Sequence, residues 1–170
     1  MTENVVLIDE ADAALGEGEK LDVHRRGALH RAFSVFAFNA GGELLLQRRA
    51  LSKYHSGGLW ANTCCGHPRP GEATADAARR RLGEELGIGC GELEPAGTLR
   101  YRAELADLVE NELDHLLVTH VDDQPQPDPE EVVEWRYIGR EELDAWIAER
   151  PEDFTAWFPP AWRIVSTNGR

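Results

Sequence analysis

From Gly66 to Ile88 the chain runs Gly-x5-Glu72-x7-Arg80-Arg81-Leu82-x-Glu84-Glu85-x-Gly87-Ile88, and no other stretch restricts the fold as much. Ala75, Ala78, Leu82 and Leu86 recur at intervals of three and four, which lays one apolar stripe along a helix. The spacing predicts a helix over 74–86, capped by Thr74 and stopped by Gly87. A loop must lead into it, and the polar face must carry Arg80, Arg81, Glu84 and Glu85. Carboxylates presented behind such a loop can hold Mg²⁺ against a diphosphate. The same side chains also form two i,i+4 ion pairs, worth about 0.3 kcal/mol each on a solvated face.

Charge is divided unevenly along the 170 residues, whose formal net charge is −13. Residues 1–19 hold six acids and no base, residues 20–102 are net +5, and residues 103–170 are net −12. The total argues against nucleic-acid partners, because sequence-independent binding needs a basic face. An anionic ligand is expected at the middle of the chain, where both lysines, Lys20 and Lys53, fall. No apolar run approaches the roughly 20 residues of a membrane span. The acidic N-terminus lacks a signal-peptide pattern, and three cysteines make no disulfide framework. A reduced, cytoplasmic, single-domain protein over 1–170 is expected, with 1–19 a peripheral strand and loop.

Strands are predicted at Val5–Ile8, Phe33–Phe38, Glu43–Arg49, Leu93–Arg102, Glu112–Val121 and Val132–Ile138, with an acidic loop through Glu19. Asn39–Gly42 reads as a hairpin connection and Leu59–His67 as one extended stretch. A turn or short helix is expected at Leu21–Arg26. Further helices are expected over Glu141–Glu149 and Pro159–Val165, the last opened by its prolines. The pattern implies an α/β (α+β) fold, a mixed β-sheet sandwich flanked by helices.

Other residues with metal or acid–base chemistry cluster around this helix. Asn62-Thr63-Cys64-Cys65-Gly66-His67-Pro68 precedes it and Glu110-Asn111-Glu112 follows. In an extended segment Glu110 and Glu112 point to one face, so both carboxylates can reach one ion. His24 and His30 precede the first long strand, and His115 lies near the acidic pair. Three histidines and two glutamates suit a divalent ion in octahedral geometry with one open position. Structural zinc is a poor fit, for there is no Cys-x2-Cys pair.

The stretch from Gly66 resembles the Nudix box at every fixed position but one, where Arg81 stands in place of glutamate. A cation there weakens a hydrolytic metal site and suits holding a diphosphate rather than cleaving it. The wider pattern is similar to the type I isopentenyl-diphosphate isomerases, a Nudix-related family. It is carried by His30-Arg-Ala-Phe-Ser34, Arg48-Arg-Ala-Leu-Ser-Lys53, Trp60 through Pro68, the Arg-substituted box, Tyr101-Arg-Ala103, Glu110-Asn-Glu112 and Trp157…Trp162.

That resemblance implies interconversion of isopentenyl and dimethylallyl diphosphate through a tertiary carbocation, with an acid and a base on opposite faces of a C5 unit. It implies Cys65 on one face and Glu112, with Tyr101 beside it, on the other. Trp162 is the expected indole for the carbocation. Lys20, Arg49, Lys53 and Arg81 would meet the diphosphate, with Mg²⁺ held through Glu85. His24, His30, His67, Glu110 and Glu112 would ligate a second ion, Mn²⁺, Mg²⁺ or Zn²⁺. The expected partner is a small allylic or homoallylic diphosphate, with neither nucleic acid nor membrane, and the chain a monomer or weak homodimer. Two departures stand out: His24 and His30 are six residues apart where seven is usual, and Gly57-Gly58 replaces Pro-Gly. A Nudix diphosphohydrolase, whose acidic Glu84 is retained, and a non-catalytic Nudix-fold binding module are the rival readings.

Overall fold

The computed structural model describes residues 3–53 and 55–168. Its organising element is β3 (His30–Phe38), whose side chains are buried on both faces because the segment is almost continuously apolar. Phe33, Val35 and Ala37 pack against Ala77, Ala78, Leu82 and Leu86 of α2 (Thr74–Leu86). Phe36 and Phe38, on the other face, pack against Leu143 of α3 (Arg140–Glu149) and Phe158, Trp162 and Val165 of α4 (Phe158–Thr167). Helices therefore cover both faces of a mixed sheet, as the alternation of elements predicts. No helix among the described residues is long and apolar enough to cross a membrane.

One edge of β3 runs parallel to β8 (Leu108–His120), from His30↔Glu112 to Phe38↔His120. The other edge is met in turn by β1 (Asn4–Ile8) at His30, by β6 (Cys64–Gly66) at Phe33–Val35, and by β4 (Leu44–Arg49) at Phe38. Asn39–Gly42 makes the β3–β4 turn, closed by the Asn39 amide donating to Glu43 O at 3.0 Å. β8 also pairs with β7 (Glu94–Leu105), and β4 with β5 (Trp60–Ala61) and β9 (Val132–Ile138).

Four local expectations need correction. Residues 14–19 form a strand, β2 (Ala14–Glu19), antiparallel to β1, not a loop; β1 supplies a backbone template, so pairing needs no apolar side chains. Leu59–His67 is two short strands, interrupted where Asn62 and Thr63 turn inward to bond backbone groups of β3, β4 and β6. β7 and β8 extend beyond the expected spans, because cross-strand pairing continues through polar residues to the turn at Ala106. Thr74 is the first helical residue rather than the cap; Ala73 precedes it without a side-chain bond. The loop is held instead by Glu72, which accepts from the Arg69 amide and receives two Arg80 hydrogen bonds at 2.9 Å. Gly87 ends the helix in the left-handed conformation, as expected.

Candidate active site

The parallel register does most of the assembly. Because His30 lies beside Glu112, the strand alternation places His30, Ala32 and Ser34 on the same face as Glu112 and Asp114. β6 adds its own contribution antiparallel to β3, with Cys65 opposite Ser34 and His67 just beyond. α1 (Lys20–Arg26) brings His24 to the same place. Between α1 and His30 the chain turns at Gly27, which takes a left-handed φ of 66° and whose missing Cβ would lie 3.2 Å from Val109.

One donor atom from each of His24, His30, His67 and Glu112 falls within 4.8 Å of every other. His24 Nδ1 is 2.7 Å from Lys20 O and His30 Nδ1 is 2.9 Å from Ala28 O. Donation to those carbonyls fixes the tautomer that leaves each Nε2 lone pair for the centre. Glu112 Oε2 lies 2.8 Å from His67 Nε2 and 3.3 Å from His30 Nε2. Burial pushes His67 down to about 4, which keeps it a neutral ligand. Burial pushes Glu112 up, but the His30 and His67 rings beside it outweigh that and hold the carboxyl well below its ordinary range. Three neutral imidazoles and a carboxylate turned to one point fit a divalent cation. Glu110, expected in the ligand set, stands outside this group. It lies one pleat further along β8, beyond the start of β3, with Oε2 3.6 Å from His55 Nε2. Burial and the neighbouring Glu112 charge push its carboxyl up.

A cavity of about 150 Å³ adjoins the cluster, and Cys65, His67, Glu85, Glu110, Glu112 and the cations Lys20, Arg49, Lys53 and Arg81 all line it. Cys65 Sγ is 3.4 Å from Ser34 Oγ and donates to Asn62 Oδ1 at 3.3 Å. Ser34 in turn donates to the buried Asp114 at 2.7 Å. Burial, together with the Asp114 charge, pushes the Cys65 thiol up to about 12, so it keeps its proton at neutral pH. Cys64 points to the opposite face of β6, towards Glu85, and takes no part in the cavity. Tyr101 lies directly across from Glu112 on β7, buried behind the cavity wall. Burial and the carboxylates of Glu110, Glu112 and Asp114 push its phenol up.

Trp162 is not at the cavity. Its indole stacks 6.3 Å from Phe36 and lies tilted 6.4 Å from Phe38, deeper along β3, and donates its N–H to Asp144. Trp157, preceding α4, lines the cavity instead; its N–H donates to Asn62 Oδ1 at 3.0 Å, the atom that also receives the Cys65 thiol. The box residues divide similarly. Arg81 binds Glu84 at 2.8 Å and Glu85 at 2.9 Å, while Glu84 is half-exposed and lines no part of the cavity. Glu85 is buried, held by Gln47 at 2.9 Å. His115 sits on the other face of β8, 3.0 Å from Asp12. Sequence reasoning missed Ser34, His55, Asn62 and Asp114. Asp114 continues the i, i+2 series of Glu110 and Glu112, and Ser34 that of His30; nothing in the spacing pointed to loop residue His55.

Comparison with known proteins agrees with this geometry. The NUDIX domain model matches residues 28–158. An isopentenyl-diphosphate Delta-isomerase from Burkholderia multivorans is 54% identical over 93% of this chain and 90% of its own length. One from Serratia proteamaculans is 48% identical over 99% and 94% respectively. A crystal structure from Deinococcus radiodurans superposes with a TM-score of 0.76 at 21% identity, covering 99% of this chain and all of that one. A MutT protein from Methanosarcina mazei gives 0.61 at 21% identity, over 84% of this chain and 96% of its own; at that identity both likenesses concern the fold. With a His/Glu cluster adjoining a cavity lined by a thiol and four cations, and near-full-length identity of about half, the chain belongs to the isopentenyl-diphosphate Delta-isomerases of the NUDIX family.

Proposed function

We propose that the chain interconverts isopentenyl and dimethylallyl diphosphate with the Cys65 thiol and the Glu112 carboxyl as the two proton-handling groups. One observation carries the reading: a single cavity is lined at once by Cys65, Glu112 and four cations. One group protonates the alkene to give a tertiary carbocation, and the other removes a different proton to place the double bond one position along. The Cys65 thiol keeps its proton at neutral pH and, being a weak acid there, leaves a strongly basic thiolate once deprotonated. Tyr101 stands behind Glu112 as its proton-relay partner.

His24, His30, His67 and Glu112 are the proposed holders of the divalent ion, Mn²⁺, Mg²⁺ or Zn²⁺, with Glu110 adjacent. A bound cation there lowers the proton affinity of the neighbouring carboxyls. Lys20, Arg49, Lys53 and Arg81 bind the diphosphate, and Glu85 faces its Mg²⁺. The substrate is a small diphosphate.

The carbocation needs a face that stabilises without trapping it, and Trp157 supplies that face in place of Trp162. Desolvated cation–π attraction of about 2 kcal/mol translates to roughly 30-fold in rate, the expected loss of kcat in Trp157→Leu. Trp162→Phe is expected to keep kcat within about twofold while lowering the melting temperature, since its indole packs a core. Equal losses in the two variants would remove the assignment.

The activity itself is tested by incubating the protein with isopentenyl diphosphate and Mg²⁺ in deuterated water. Dimethylallyl diphosphate carrying deuterium is expected. Release of phosphate or pyrophosphate instead would establish a hydrolase, and absence of any turnover a binding module.

A further inference from the structure

Four cations share one partly buried cavity, and like charges held together there repel. Burial, then the charges of Lys53 and Arg81, push the Lys20 ammonium below its ordinary range. Two carboxylates that belong to neither the box nor the metal cluster lie against these cations: Glu3, 3.5 Å from Lys20, and Glu131, which alone of the two meets Lys53 and Arg81. Glu131, immediately before β9, places Oε2 2.5 Å from Lys53 Nζ and 3.4 Å from Arg81 Nη2. A single oxygen shared by an ammonium and a guanidinium is the contact that a phosphate oxygen makes. Arg81 has its own partners in Glu84 and Glu85, so its charge is balanced without Glu131. The backbone holds Glu131 in place, with the Ala50 amide donating to its carbonyl and its own amide donating to Asp128 O, both at 2.9 Å. The carboxylate can therefore swing aside without loss of the surrounding loop.

We infer that Glu131 is a resident competitor for the diphosphate: in the ligand-free enzyme it occupies the Lys53 and Arg81 donors that a diphosphate oxygen takes over, and so it limits how tightly diphosphate is held. The inference rests on the reading of Lys53 and Arg81 as diphosphate-binding residues. Its use to the enzyme follows from the reaction. Substrate and product carry the same diphosphate, so a carboxylate that reclaims the cations favours release of either one.

The test is calorimetric titration of inorganic pyrophosphate, in magnesium-free buffer, into the wild-type protein, Glu131→Gln, Glu131→Ala and Lys53→Ala. Removing one negative charge beside the ligand is expected to tighten pyrophosphate about tenfold in both Glu131 variants. In turnover, KM and kcat should then fall together in Glu131→Gln, as release slows, and Glu131→Asp should restore both. Unchanged or weaker pyrophosphate binding in Glu131→Gln and Glu131→Ala would overturn the competitor role and leave Glu131 a residue that positions Lys53. Lys53→Ala should weaken pyrophosphate. If it does not, the diphosphate assignment itself fails, an outcome separate from the first.

Discussion

Replacing Cys65 by alanine is expected to lower kcat by about 10³-fold or more while KM for isopentenyl diphosphate stays within about threefold. The substrate's charged end is proposed to be held by Lys20, Arg49, Lys53 and Arg81 rather than by the thiol, so the loss should fall on the chemical step. Removing the sulfur leaves Ser34 still bonded to Asp114 and Asn62 still bonded to Trp157, so the cavity wall survives. Deuterium incorporation from deuterated water, followed against product formation, reads both halves of the reaction. Residual turnover within tenfold of wild type would show that the thiol transfers no proton.

A second large effect is expected from Glu112→Gln. The substitution removes the carboxylate that is grouped with the His24, His30 and His67 imidazoles and removes the proposed acid–base group as well. Metal affinity should fall by more than the about 10- to 100-fold typical of losing an outer partner of a ligand, and kcat should fall with it. Metal analysis on protein purified without chelator reads the first effect, and the deuterium assay the second. Glu110→Gln provides the contrast: it should retain the ion, because Glu110 stands one pleat outside the cluster. Full metal content in Glu112→Gln would move the site elsewhere.

Much of this site was legible before any coordinates, because its parts sit on periodic elements. The spacing of Ala75, Ala78, Leu82 and Leu86 predicts the span of α2 though not its cap, and the alternation in β8 puts Glu110 and Glu112 on one face. The family resemblance brings His24, His30, His67 and Cys65 together, and the fold does place them so. What spacing could not decide was depth. Trp157 and Trp162 are five residues apart near a helix start and both are buried in one core, and only the packing of Trp162 against Phe36 and Phe38 and the cavity lining show which indole faces the cavity. Register along β8 likewise separates Glu112 from Glu110 although both face the same way. β2 was invisible for a different reason: Ala-Leu-Gly-Glu-Gly-Glu has no apolar alternation, and its strand exists because β1 offers an edge.

The parallel pairing of β3 with β8 also governs when the site can exist during synthesis. His24, His30 and His67 leave the ribosome before Glu112, and His30 meets Glu112 only after more than eighty intervening residues have been made. Pairings of such sequence separation form slowly and late in folding, since their loop entropy must be overcome first. The nascent chain therefore displays an imidazole trio without its carboxylate until β8 enters the sheet, so ion capture at the proposed site awaits that long-range pairing.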